Sequence, residues 1–117
     1  MYAAVDLTKK MISNNCHFRP SSNEVLSHCV FWNEGKQLNF FLDVSDRLEK
    51  EPVSSRVLQC IESRAKLVIG SDWKNKITDD LRTDLKRFRS YNGGCVRELL
   101  RALRQTRNTT TVSYLFN

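Results

Sequence analysis

The sequence predicts an all-α fold, and three features carry that expectation. Val96, Leu99, Leu100 and Leu103 fall at i, i+3, i+4 and i+7, which puts one apolar stripe on a helix. Leu38, Phe41, Leu42, Ser45 and Leu48 form a second stripe of the same period, with Asp43, Asp46, Arg47, Glu49 and Lys50 mostly on its wet side. Helix starts are written twice. Ser21 and Glu24 stand at capping-box spacing after Pro20, and Thr78 is followed by Asp79 and Asp80, two acids at the positive end of a helix dipole.

Taken in order, residues 2–13 are expected to form a first helix, with Ala4, Leu7 and Met11 on one face and Lys9 and Lys10 outside it. Asn14-Asn15 breaks it. The capping box then opens a second helix that carries Val25 and Leu26 and reaches about His28. Phe31-Trp32 closes this part. Asn33 caps a third helix, the one striped from Leu38 to Leu48, and Pro52 ends it. Ser54 or Ser55 caps a fourth, which carries Val57, Leu58 and Ile61. Leu67-Val68-Ile69-Gly70 fits either a buried turn of helix or an extended segment. The helix begun at Thr78 is lined by Leu81, Leu85 and Phe88. A Gly93-Gly94 turn leads into the last helix, which runs to Arg104. Beyond it the stripe is lost and three threonines, 109–111, lower helix propensity. The tail is expected to be frayed, or to belong to something missing from the chain.

The totals exclude several classes. At 117 residues the chain makes one domain, or a small domain plus a piece of another. No apolar run is long enough to span a bilayer, and the N-terminus has no basic-then-apolar signal pattern. Cys16, Cys29, Cys60 and Cys95 form no C-x-x-C pair, so free buried thiols in a reducing compartment are a simpler expectation than zinc or redox chemistry. Asn108-Thr109-Thr110 fits a glycosylation acceptor, idle without a route to the secretory lumen.

Charge is uneven. Residues 82–107 hold eight Lys/Arg and two Asp/Glu, a net of +6, which is also the net of the whole chain. The positive excess therefore belongs to one stretch, as a polyanion site would require, although a solvated basic face gives the same count. Within it, Phe88, Arg89 and Tyr91 lead into the two glycines. Arg97, Arg101 and Arg104 sit off the leucine stripe on neighbouring helical faces. Arginines beside an exposed tyrosine are expected to grip phosphate.

Two resemblances join end to end. Asp6-Leu7-Thr8-Lys9-Lys10-Met11-Ile12, Phe18-Arg19-Pro20-Ser21, Val25-Leu26-Ser27-His28 and Phe31-Trp32 resemble the final two helices of a protein kinase C-lobe. The glutamate that pairs with the family's matching arginine is absent, as are a Gly-rich loop, a His-Arg-Asp and an Asp-Phe-Gly, so no ATP site and no phosphoryl-transfer machinery is expected. Next, Gln37 through Pro52 (with Asp43-Val44-Ser45-Asp46-Arg47), Asp72-Trp73-Lys74, Phe88-Arg89-Ser90-Tyr91, Gly93-Gly94, Val96-Arg97 and Leu99-Leu100-Arg101-Ala102 are similar to the KEN domain, the kinase-extension nuclease. The match is to the inositol-requiring kinase/endoribonuclease family of the unfolded protein response. The implied boundaries are a kinase remnant over 1–32 and a KEN domain, incomplete at its C-terminal end, over 33–117.

The resemblance implies an all-helical, dimerising domain that cuts RNA stem-loops without a metal or other cofactor and leaves 2′,3′-cyclic phosphate ends. It places catalytic roles on Tyr91, Arg104 and Gln105, the last at a family asparagine position. Arg89, Arg97, Arg101 and Arg107 become candidates for the RNA backbone, with Arg97 and Arg101 fitting ordinary ion pairs as well. The family's histidine position falls on Thr109, which has no group titrating near neutral pH, and losing such a group costs about 10²–10⁴-fold in rate. Of the two histidines, His17 and His28, the latter matches a structural kinase position. Cys95 replaces a serine at the helix entry, for a cap loss of about 1 kcal/mol. Trp73 fits a core position or a base-stacking one. The expectation is a nuclease with cleavage impaired or absent. The alternatives are a catalytically dead RNA-binding or dimerisation module that pairs with an intact relative, and a truncated product that folds poorly. The parent family acts on the cytosolic face of the endoplasmic reticulum, so a cytoplasmic chain is implied.

Overall fold

The computed structural model describes residues 2–107 and 110–112, and among them there are helices and no strand. The α-helices are α1 (Tyr2–Met11), α2 (Ser22–Leu26), α3 (Glu34–Glu49), α4 (Arg56–Ser63), α5 (Ala65–Ile69), α6 (Asp79–Lys86) and α7 (Val96–Thr106). Short 3₁₀ turns occupy Cys16–Phe18, Cys29–Phe31 and Trp73–Lys76. The caps are those the sequence wrote. Ser21 and Glu24 make a reciprocal capping box at α2, while Asn33, Ser55 and Thr78 accept backbone N–H groups at the starts of α3, α4 and α6.

Packing centres on α3 against α7. Leu38, Ser45 and Leu48 are buried from α3, and Leu99, Leu100, Ala102 and Leu103 from α7. Each leucine so buried contributes about 1.5–3 kcal/mol from area removed from water. Asp46 pairs with Arg104 and Glu49 with Arg101. Rising numbers on α3 meet falling numbers on α7, so the two helices run antiparallel. Leu58, Ala65, Ile69, Trp73, Ile77 and Leu85 close the core around them. The open segment at Leu67 resolves as helix: α5 buries Ala65 and Ile69 and stops at Gly70, whose φ of 74° is a left-handed conformation that suits glycine.

The first 32 residues pack mainly on themselves. His28 Nδ1 accepts the Val30 N–H at 3.2 Å, and its Nε2 lies 3.2 Å from the Asp6 carboxylate. One ring nitrogen therefore accepts and the other can donate, which ties α1 to the Cys29–Phe31 turn. Trp32 bridges to α3: it stacks edge-on to Phe40 at 5.4 Å, and its carbonyl accepts from the Gln37 amide. The radius of gyration is 16.0 Å, against about 13 Å for a compact chain of this length, which is what an appended N-terminal piece produces.

Several expectations are corrected. Of the α1 face only Leu7 is buried; Ala4 and Met11 are exposed, because α1 has little beyond a 3₁₀ turn to pack on. Phe88 lies past the end of α6 and is 61% exposed rather than lining it. The cysteines are free, but Cys16, Cys29 and Cys60 are exposed and Cys95 only half-buried, so they are not buried thiols. The tail is not frayed where it is described. Residues 110–112 are helical, and Thr111 and Val112 are buried, Val112 completely. Asn108 and Thr109 lie outside the described residues.

Candidate nucleic-acid interface

The Tyr91–Gly94 turn is held from behind by Asp72-Trp73-Lys74. The Trp73 N–H donates to the Gly93 carbonyl at 3.0 Å, its indole N–H donates to the Asn92 carbonyl at 3.1 Å, and the Lys74 ammonium reaches the Tyr91 carbonyl at 3.1 Å. Arg82 of α6 secures that brace with two guanidinium bonds to the Lys74 carbonyl, at 2.8 and 3.2 Å. Trp73 is 1% exposed, so it is a core residue and cannot stack a base. Glycine at position 93 leaves room for the Asp72 carboxylate, which a Cβ there would displace.

The start of α7 shows a feature the sequence reading missed. Cys95 makes no side-chain cap, but Glu62 of α4 supplies one from 34 residues away. Its carboxylate accepts the Val96 N–H at 3.0 Å and the Arg97 N–H at 2.9 Å. Two orphan donors are satisfied by a negative charge at the positive end of the dipole. The expected penalty for losing the serine is thereby offset.

Tyr91, Arg104, Gln105, Arg89, Arg101 and Arg107, together with Glu49, line one cavity of about 460 Å³. The candidate site residues thus converge, apart from Arg97. Arg97 is half-buried beside Glu49 at 3.9 Å, its Nε buried without a partner among the described residues, and it does not line the cavity. Tyr91 is not exposed as expected but 7% so, its ring edge-on to Trp73 at 6.2 Å with the Arg89 guanidinium 5.3 Å above it. Burial pushes its phenol above the ordinary 10.0, and nearby Arg89 pulls the other way, so the group stays protonated at neutral pH.

Charge in space is less lopsided than charge along the chain. Glu49 and Glu98 both grip Arg101, with Glu98 at 2.5 Å and Glu49 through two guanidinium bonds. The bond to Arg101 draws the Glu49 carboxyl below its usual range, and Glu49 in turn raises Arg101. Arg89 lies 3.2 Å from Glu98 and Arg104 2.6 Å from Asp46. The two pairs differ in strength. Arg101 is held by three bonds with both acids partly shielded, whereas Arg104 and Asp46 are each about half exposed (47% and 53%), which limits such a pair to about 0–1 kcal/mol. Arg107 makes no ion pair among the described residues; it caps α7 at a φ of 46°. Arg104 and Arg107 are therefore the cations an incoming anion takes most cheaply. The acids Asp46 and Glu49 flank the α3 stripe as the arginines flank that of α7. That complementarity was present in the sequence but not used.

Residues 37–110 match the model of the Ribonuclease 2-5A family. Over 105 residues, 90% of the chain, it is 44% identical to the human serine/threonine-protein kinase/endoribonuclease IRE2 and 42% to the Caenorhabditis elegans serine/threonine-protein kinase/endoribonuclease ire-1. It is 38% identical over 107 residues to the Schizosaccharomyces pombe protein named sensor for unfolded proteins in the ER ire1. The chain spans only about a tenth of the length of these relatives, 11%, 11% and 10%. No described helix is long and apolar enough to cross a membrane.

Proposed function

The chain belongs to the Ribonuclease 2-5A family, and from that premise we propose that it is the RNA-handling portion of a kinase/endoribonuclease, binding a phosphodiester of an RNA stem-loop in the arginine-lined cavity. The observation that carries this is the convergence of Tyr91, Arg104, Gln105, Arg89, Arg101 and Arg107 on one cavity. In the cleavage this reading implies, the 2′-oxygen gives its proton to water and bonds to the adjacent phosphorus, the bond from phosphorus to the 5′-oxygen breaks, that oxygen takes a proton from water, and a 2′,3′-cyclic phosphate remains. Arg104 neutralises charge developing on the phosphorus-bound oxygens. The Tyr91 phenol, protonated at neutral pH, donates a hydrogen bond to the same group, and the Gln105 amide donates or accepts beside it. Arg89 and Arg107 draw the backbone in, while Arg101 holds α3 to α7 beneath them.

A second reading is favoured by one feature. No imidazole is among the lining residues, and imidazole is the side chain that ordinarily titrates near neutral pH. The described lining supplies charge and shape without an imidazole, which suits an RNA-binding or dimerisation module with little or no cleavage of its own. Residues 1–32 are in this view the end of a kinase lobe. Relatives match over 105 residues, more than the family model covers, and so take in part of the region before Gln37. A place on the cytosolic face of the endoplasmic reticulum belongs to the same proposal.

The test is incubation with a short RNA stem-loop, following binding by anisotropy and scoring ends for cyclic phosphate. Salt-dependent binding with little or no cleavage is expected. Absence of binding at low salt would overturn the proposal, and robust cutting would overturn the second reading.

A further inference from the structure

Ser90 is not used by the chemistry assigned above. It follows Lys86, the last residue of α6, and the Arg87-Phe88 turn that ends the helix, and it is exposed. Arg87 is exposed too, its guanidinium 3.6 Å from the Asp84 carboxylate. Beside Ser90 lies a second, smaller cavity of about 60 Å³, whose lining includes Lys74, Arg82, Lys86, Arg89 and Tyr91. Lys74 and Arg82 are occupied in bracing the glycine turn. Lys86 makes no ion pair among the described residues. Arg89 is shared, since it lines this cavity and the larger one.

We propose that Ser90 is a phosphoacceptor for an arginine-directed serine/threonine kinase, and that its phosphate, held by Lys86 and Arg89, opposes RNA binding in the neighbouring cavity. The second half rests on the RNA reading. In the transfer, the Ser90 hydroxyl oxygen bonds to the γ-phosphorus of ATP carried by the modifying kinase. The bond from that phosphorus to the bridging oxygen breaks, ADP leaves, and the hydroxyl proton passes to the kinase's base. Recognition needs an accessible acceptor with arginine three residues before it, and Arg87 occupies that place at the C-cap of α6, so the turn over 87–89 opens for the kinase to read it. The phosphate brings about −1.5 to −2 charges. That exceeds the single charge of Glu98, so it takes Arg89 from its present partner and turns a like charge toward the RNA path.

The chain is incubated with ATP and a kinase that requires arginine at that spacing, and the phosphate is located by mass spectrometry. Modification is expected at Ser90, absent from Ser90→Ala and slowed by about 10-fold in Arg87→Ala. Phosphate found only elsewhere, or an unslowed Arg87→Ala, overturns the site. Modified and unmodified chains are then titrated with the stem-loop at one salt concentration, and the modified chain is expected to bind about 10-fold more weakly. Equal affinities overturn the control role. Failure of the unmodified chain to bind overturns the RNA reading and the control role with it, while the mapped site stands on the first arm.

Discussion

At the scale of single residues, the proposed RNA site turns on which arginines can leave their partners. Arg104 is held by Asp46 in a half-exposed pair, so Asp46→Asn releases a cation without emptying the core. RNA affinity is expected to rise several-fold, on the order of 1 kcal/mol, with a steeper salt dependence by about one phosphate contact. Anisotropy titrations at three salt concentrations check this, and an unchanged slope counts against it. Gly93 offers a stability test, because a methyl there meets the Asp72 carboxylate that caps the Trp73–Lys76 turn. Gly93→Ala is expected to cost about 1–3 kcal/mol, seen as a lower Tm, whereas Gly94→Ala, which has room, stays close to the parent. At this scale the sequence was informative about identity and poor about exposure. Tyr91 and Arg104, singled out from the sequence, line the same cavity, but the tyrosine is buried where the sequence reading expects it at the surface. Its burial depends on Trp73, 18 positions away, and no local pattern encodes that pairing.

At the scale of elements, the caps and stripes were legible because they are local. Ser21 with Glu24, Asn33 and Thr78 each satisfy backbone donors within three residues, and the α3 and α7 stripes repeat within one helix. The Glu62 cap on α7 was not legible, since it joins two elements across 34 residues. Glu62→Ala is expected to destabilise by about 1 kcal/mol or more, and Cys95→Ser to restore part of the loss by providing a local cap. Equal effects of Cys95→Ser with and without Glu62 would contradict the shared role. The α3–α7 seam also carries a pH signature. Glu49 has a carboxyl drawn below its ordinary 4.5 by Arg101, so its contribution is present above the unfolded value and is lost as pH falls through the folded one. Glu49→Gln should destabilise at pH 7 by no more than about 1 kcal/mol given its partial exposure, seen as a lower Tm. The gap should close as pH falls below the ordinary carboxylate range. A gap constant over that range would exclude the linkage.

At the scale of the whole molecule, a helical core built on α3 and α7 carries an N-terminal piece that contributes little to it. That piece leaves Met11, Ile12, Phe18, Leu26 and Phe31 exposed. Amides in α1 and α2 are expected to exchange with solvent well before those of α7, because local opening there gives up few buried contacts. The basic excess read along residues 82–107 is the other property that changes at this scale. Folding brings Asp46 and Glu49 of α3 onto the same arginines, so the charge available to a ligand is smaller than the sequence count and concentrated at Arg104 and Arg107. The most direct test is therefore the salt dependence of RNA stem-loop binding by the parent chain and by Arg104→Ala. The parent should show log Kd rising linearly with log salt, and Arg104→Ala should bind several-fold more weakly with a slope shallower by about one unit. Identical affinity and slope for the two chains would remove Arg104 from the interface and contradict the cavity as the RNA site.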